Sequence, residues 1–387
     1  MPIKKYLLTP GPTPVPERVM LAMARPIVHH RTADFEKIFR EAATGLQRIF
    51  QTRQPVLMLA GSGTLAMEAA VVNTMKRGDK ALCVVGGKFG ERWRNLCKAH
   101  GLDFVSLEVE WGRAVPPELV EKALDADDKI TAVFSQANES STGVRHPVEE
   151  LAKITAKRER VINVVDAVSA LGAFDLPMDA AGFDVLLTGS QKALMLPPGQ
   201  AYIALSDKAW ARTESADLPR FYSDLKREKK AQAGGETAWT PAITLTVGLV
   251  EALHMIEEEG LQQCFARHAR LAEATRRACI ALGCALFAPD APSPTVTSVR
   301  GPENVSGGFD TGKLVKQLRD KYGVSITGGQ DAVKGKIFRV AHLGYFDTFD
   351  ILTSVAAIEM ALSDLGVKIT HGAGTAAAEA VLRVGNG

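Results

Sequence analysis

Lys192 sits in a polar turn, Thr188-Gly189-Ser190-Gln191-Lys192, inside a stretch, 183–205, whose other residues are mostly apolar and read as strand on either side. A lysine in a turn is commonly a solvated charge. Held against an apolar pocket, it gives up its proton more readily, and its free amine can form a Schiff base with a carbonyl compound. Asp166 ends a second apolar run, 161–165, and either caps the turn that follows or offers a carboxylate to a partner. Gly61-Ser62-Gly63-Thr64 follows a third run, 56–60, and opens a helical pattern. Glycine there lets the backbone approach a ligand, while two hydroxyls and the unpaired N–H groups of a helix start favour an anion.

The same turn has the spacing of a dinucleotide fingerprint in Gly61, Gly63 and Ala66, with Asp79 near the distance of a ribose carboxylate. Asp79 lies, however, in the polar turn Lys76-Arg77-Gly78-Asp79-Lys80 before the next strand, whereas a ribose-binding acid belongs at that strand's end. A single phosphate, or a plain tight turn, fits without that objection. An amine for an aldehyde, a carboxylate for a ring nitrogen and a helix start for a phosphate are together what pyridoxal 5'-phosphate requires. A carboxylate ~4 Å from a pyridinium nitrogen contributes up to ~4 kcal/mol at an effective dielectric near ~20. That would raise the ring's pKa by up to about three units, and a ring kept protonated is an electron sink.

The elements that must carry these residues alternate along the chain. Apolar periodicity predicts a helix over 33–50, then strands at 56–60, 81–85, 103–107, 130–134 and 161–165, with helices at 63–76, 88–100, 116–124 and 147–158 between them. Short strands follow at 185–187 and 201–203. This order predicts an α/β fold with a mixed, mostly parallel sheet flanked by helices. Helices at 240–259 and 261–282 then lead to a smaller α+β part, with strands at 295–299 and 337–341 and helices at 310–322 and 349–364. The expected organisation is an extended arm over 1–19, a large domain over 20–258, a small domain over 259–366 and a tail over 367–387. Four prolines within 9–16 keep the arm out of helix and inner strand. The Gly/Ala-rich tail offers little core, although 375–382 could be helical.

Composition narrows the function classes. With 46 basic and 44 acidic residues the formal charge is +2, and no cationic cluster of the kind that binds nucleic acid is present. The densest basic run, Lys226-Arg227-Glu228-Lys229-Lys230, reads as a solvated helix face. Five scattered cysteines form no CxxC pair, which fits buried small side chains in a reducing compartment better than a disulfide frame or a metal site. No metal ligand set is expected. The N-terminus lacks a signal-like apolar stretch, no run of about 18 apolar residues occurs, and Gly385-Asn386-Gly387 matches no address signal. A cytoplasmic protein, bound neither to membrane nor to nucleic acid, is the expectation.

Several ordered motifs add a resemblance. Leu7-Leu8-Thr9-Pro10-Gly11-Pro12, Gly61-Ser62-Gly63-Thr64, Glu139-Ser140-Ser141-Thr142-Gly143, Val165-Asp166-Ala167-Val168-Ser169, Gly189-Ser190-Gln191-Lys192-Ala193-Leu194, Pro197-Pro198-Gly199 and Arg339-Val340-Ala341-His342-Leu343-Gly344 stand in the order of a family. From Leu7 to about Leu365 the chain resembles a class V, fold-type I aminotransferase of the alanine–glyoxylate or serine–pyruvate group. The resemblance implies that Lys192 holds the cofactor aldehyde and later shuttles a proton, and that Asp166 pairs with the ring nitrogen. It implies Ser140 at the ring hydroxyl, Val168 and Phe89 on the ring faces, and Ser62, Gly63, Thr64 and Gln191 at the phosphate. Thr240, or Thr237 in its place, would reach the phosphate of a neighbouring subunit in a homodimer with shared sites.

Arg339 would grip the substrate carboxylate, and the loops 9–16 and 324–331, with Gly11 and Thr13, would shape the pocket. His29-His30-Arg31 is expected to make a local turn or interface, or else to line the mouth. The activity implied is ping-pong amino transfer from alanine or serine to glyoxylate or pyruvate. A 2-aminoethylphosphonate transaminase and a non-catalytic subunit of the type labelled soluble hydrogenase small subunit are alternatives. A cysteine desulfurase is disfavoured, because no cysteine lies between Cys284 and Arg339 and Phe89 stands where a histidine would.

Overall fold

In a computed structural model, which describes residues 3–302, 305 and 308–383, the chemistry-bearing strand ends gather at one sheet. Its seven strands run in the order Val56–Ala60, Gln200–Leu205, Val185–Gly189, Ile162–Asp166, Ile130–Gln136, Lys80–Val85, Asp103–Glu108. All are parallel except Gln200–Leu205, which is antiparallel to both neighbours. The reason is local: only residues 190–199 join it to Val185–Gly189, and a parallel return needs a crossover of a dozen or more residues. The turn that makes this reversal carries Lys192.

The strand Ile162–Asp166 is buried along its whole length, as expected of a strand covered on both faces. Helix Ala33–Phe50 is capped by the Thr32 hydroxyl, which accepts from Phe35 N–H, and buries the stripe Phe35, Phe39, Ala42, Leu46 and Ile49. Helix Gly63–Thr74 is apolar around its circumference, with Ala66, Met67, Ala70 and Val71 all buried between the sheet and its neighbours. The helix expected from Thr240 begins at Ile243 instead, consistent with the bias of a residue before proline away from helical geometry.

A second, antiparallel sheet orders Cys284–Leu286, Val296–Pro302, Ile337–Ala341 and Thr327–Gly328. Its core joins Val299, Phe338 and Val340 to Leu314 and Leu318 from helix Thr311–Tyr322 and to Ile351, Val355 and Ile358 from helix Thr348–Asp364. The Gly/Ala-rich tail contributes more than its composition predicts. Helix Ala373–Leu382 lies against helix Leu261–Ala281 and buries Ala378 and Leu382 in this core. Small side chains permit that approach: a Cβ at Gly374 would lie 3.0 Å from the Leu282 side chain. Residues 384–387, and with them Gly385-Asn386-Gly387, lie outside the described residues, as do Met1 and Pro2 of the arm.

The arm joins the two sheets' cores. Tyr6–Leu7 pairs in parallel with Val324–Ser325, and Leu8 is buried with the second core. The chain then crosses Lys192 and enters helix Glu17–Met23, which packs on helix Ile243–Glu259. Within the basic run, helix Leu225–Ala233 exposes Lys226, Arg227 and Lys230 as expected, but Glu228 is buried and accepts from Gln232 and from Ala238 N–H. All five cysteines are free and buried.

Candidate active site

The Lys192 amine is half-buried and donates to Pro10 O at 2.5 Å. Gly11 makes this approach possible, because a Cβ there would overlap Nζ. Thr13 stands one layer behind. Its hydroxyl donates to Lys192 O at 3.0 Å and its N–H to Gln191 O at 3.3 Å. Thr13 is buried, so its part is to clamp the lysine turn rather than to meet a substrate directly. Gly344, at φ +88°, presses on the same carbonyl: a Cβ there would lie 2.8 Å from Lys192 O.

Burial pushes the Lys192 amine down to about 8; the charges of Arg339 and Arg92 add to this, and Asp166 opposes it. Asp166 closes the central strand, beside Gln136 and Leu187 of its neighbours. Burial pushes its carboxyl up to about 6, against the pull of Val168 N–H, Arg92 and Lys192. Oδ1 accepts from Val168 N–H at 2.8 Å, and Oδ2 has no hydrogen bond among the described residues.

Arg339, on the strand Ile337–Ala341, is buried rather than the surface arginine that a strand position alone would suggest. Nε and one terminal nitrogen donate to Gly328 O at 3.1 and 2.8 Å, and the other terminal nitrogen donates to Ser140 O at 2.8 Å. A guanidinium has five hydrogens, so one remains on each terminal nitrogen for a further acceptor. Burial lowers the pKa of this group to about 10, with Glu139 opposing.

The family model for aminotransferase class V matches residues 5–345. The chain belongs to the class V aminotransferases. It is 40% identical to the "soluble hydrogenase 42 kDa subunit" of Anabaena cylindrica over 98% of either chain. It is 38% identical to the serine–glyoxylate aminotransferase of Methylorubrum extorquens, covering 99% of this chain and 97% of that one. Its fold matches the crystal structure of the ureidoglycine–glyoxylate aminotransferase of Bacillus subtilis with a TM-score of 0.93 over 99% of each, at 26% identity. That neighbourhood establishes the fold as fold-type I.

The glycine-rich turn of this aminotransferase stands at the start of helix Gly63–Thr74. Ser62 precedes helix Gly63–Thr74 but spends no side-chain bond on capping it. A Cβ at Gly63 would lie 2.7 Å from Val168 Cγ2, so the turn rests directly on Val168, just past Asp166. A Cβ at Gly189 would stand 3.0 Å from Gln191 Oε1 and 3.3 Å from Gly63 N, which puts the Gln191 side chain beside the helix start. Gln191 Oε1 is buried without a partner. A buried polar group left over, an unspent hydroxyl and free helix N–H groups fit a phosphate, and the free Asp166 oxygen fits a protonated ring nitrogen.

One residue of this group escaped sequence reasoning. Arg92 donates to Thr64 Oγ1 at 3.1 Å, lies 4.9 Å from the Phe89 ring centroid, and its charge is felt by both Lys192 and Asp166. Because Thr64 Oγ1 accepts from Arg92, its own proton is free for an anion. The signal was the spacing: Arg92 follows Phe89 by three on helix Lys88–Ala99, hence on the same face.

Other expected residues make no hydrogen bond to the lysine among the described residues. Thr237 is buried and its hydroxyl donates to Trp239 O at 2.6 Å, whereas Thr240 is exposed. His29-His30-Arg31 forms a local turn, with Arg31 N–H donating to His29 Nδ1 and Arg31 paired with Glu236. Among the described residues no helix is long and apolar enough to cross a membrane.

The depressed lysine carries a stability signature. Its amine titrates near 8 when folded and near 10.5 otherwise. Between those values the unfolded chain binds more protons, so this group makes stability rise with pH across that window. Below about 8 the whole cost of the buried cation is present. In thermal unfolding of the cofactor-free protein, Lys192→Met is expected to melt above wild type at pH 7, with the gap closing as pH rises from 8 to 10.5. A gap independent of pH would contradict the burial argument.

Proposed function

We propose that this aminotransferase uses pyridoxal 5'-phosphate to move the amino group of a small amino acid, alanine or serine, to a small 2-oxo acid, glyoxylate or pyruvate. The observation that carries the reading is a desolvated amine, Lys192, under the charges of Asp166, Arg92 and Arg339 and next in sequence to Gln191, whose side chain lies beside the helix start at Gly63. Bound there, the cofactor supplies an aldehyde that accepts amino groups and a ring that spreads the electron pair left when Cα loses its proton.

The chain's own groups do the rest. Ser62, Gly63, Thr64 and Gln191 hold the phosphate, Val168 and Phe89 the ring faces, and Ser140 its hydroxyl edge. Asp166 keeps a proton on the ring nitrogen. Arg339 takes the substrate carboxylate on its remaining N–H groups and so fixes which Cα bond faces Lys192. An amine near 8 retains a free-base fraction at neutral pH, and Lys192 takes the proton from the substrate Cα. Because donor and acceptor share one carboxylate site, they bind in turn, which is a ping-pong scheme.

The active form is read as a homodimer in which Thr240 reaches the partner's phosphate; its exposure, and that of Leu21, Ile27 and Phe221, supports this. A cytoplasmic location agrees with the composition. The relative named as a hydrogenase subunit keeps the non-catalytic reading in view. One experiment separates them: holoenzyme is mixed with single amino acids, and conversion to the pyridoxamine form is followed by absorbance. Alanine or serine should convert it; no conversion by any amino acid would favour the subunit reading. In the same assay Arg339→Gln should raise KM for the amino acid by about 100-fold, the ~3 kcal/mol typical of a broken buried charge pair. An unchanged KM would remove Arg339 from the substrate site.

A further inference from the structure

Glu139 is fully buried in the short strand Asn138–Glu139 and takes no part in the chemistry assigned above. Its carboxylate nevertheless ties together two segments of the site. Oε2 accepts from Phe89 N–H and from Gly90 N–H, both at 3.0 Å, in the first turn of helix Lys88–Ala99. Oε1 accepts from Ser141 N–H at 3.2 Å and from the Ser141 hydroxyl at 2.5 Å. That hydroxyl can donate because its oxygen already accepts from Lys88 N–H at 3.1 Å.

Every neighbour bonded to the carboxylate is a donor, so a proton on either oxygen would meet an N–H or O–H. Burial pushes this carboxyl up, and the hydrogen bonds from Ser141, Gly90 and Phe89 oppose that; the all-donor surroundings match the carboxylate form. Across from it stands Arg339, whose charge Glu139 supports. Ser140 lies between them, its carbonyl held by Arg339 at 2.8 Å. The backbone closes tightly on this anion, since a Cβ at Gly87 would come within 2.5 Å of both Glu139 Cδ and Ser141 Oγ.

We propose that Glu139 is a positioning residue that sets Phe89, Ser140 and Arg339 in one register, so that a single buried anion aligns the ring-stacking side of the site with its carboxylate-binding side while touching neither ligand. The role assigned to those ligands rests on the transaminase reading. The linkage itself does not.

Two measurements test it on Glu139→Gln, which keeps the shape but turns an amide NH2 toward donors. Hydrogen exchange of the cofactor-free protein is read by mass spectrometry over 87–92 and over 327–330. The second segment contains Gly329 N–H, bonded to Ile337 O at 2.8 Å, and reaches Glu139 through Gly328, Arg339 and Ser140; Asp331 beside it also pairs with Lys88, so exchange is read in a Lys88→Met background, which removes that second path. Exchange should quicken at least tenfold in both segments. In the holoenzyme, acetate binding, followed through the visible band of the lysine-bound cofactor, should weaken at least tenfold.

Ser141→Ala removes one donor and leaves the charge. It should shift both readouts about threefold in the same direction, and it decides the matter if Glu139→Gln does not fold. Exchange quickened in 87–92 alone, or acetate affinity equal to wild type in a folded variant, would mean a helix cap and nothing more. Failure of the wild type to attach the cofactor would sink the transaminase reading, while the exchange result still decides the linkage.

Discussion

Lys192→Ala is expected to slow amino transfer by about 10⁴-fold, the upper range for removal of a positioned general base, with loss of covalent attachment added. No other group can stand in. The arginines whose charges act on the amine, Arg92 and Arg339, are donors with no acceptor atom, and Pro10 O, which the amine contacts, is not a base of use here. The check has two arms. Borohydride reduction of the wild type with pyridoxal phosphate should add one cofactor mass at Lys192 and none in the variant. Steady-state assay with alanine and glyoxylate should show the rate loss. A variant that still carried the reduced cofactor, or turned over at the original rate, would remove Lys192 from the centre of the site.

The second large effect is expected at Asp166→Asn, which keeps the size of the side chain and an oxygen for Val168 N–H, so that only charge is withdrawn. A carboxylate near a ring nitrogen is worth up to ~4 kcal/mol at an effective dielectric of ~20, or a rate loss on the order of 10³. The pH dependence identifies the cause. In the folded, cofactor-free chain the carboxyl is pushed up to about 6 by burial. Wild type should therefore bind the cofactor more tightly than the variant above pH 6, and the gap should close as pH falls through about 6 and the carboxylate takes its proton. A constant gap would mean that the asparagine harms packing rather than electrostatics. A rate within tenfold of wild type would mean that the ring nitrogen has another partner.

Strand ends were where sequence reasoning reached furthest. The run Ile162–Asp166 is apolar but for Asn163 because it is buried on both faces, so its one carboxylate stood out before any coordinates did. Arg92 stayed hidden, because an arginine on a helix is ordinary until the helix is laid beside Thr64. Glu228, read as part of a solvated face, proved to be buried against Gln232 and the 238 amide. The tail helix was underrated because Gly and Ala contribute little apolar area, while close approach of backbones, which they permit, cannot be read from composition.

Alternation of strands and helices, the lysine in its turn, the acid at its strand end and the glycine-rich helix start follow from local periodicity and residue type, and the linear chain specifies them. The reversed direction of Gln200–Leu205, the apposition of Gly11 to an amine 181 positions away and the grip of Gly328 and Ser140 on Arg339 exist only after folding. The same holds for function. Lysine and aspartate acquire pKa values near 8 and 6 from the water that packing removes and the charges it brings near, quantities set by three-dimensional neighbours and not by position along the polymer.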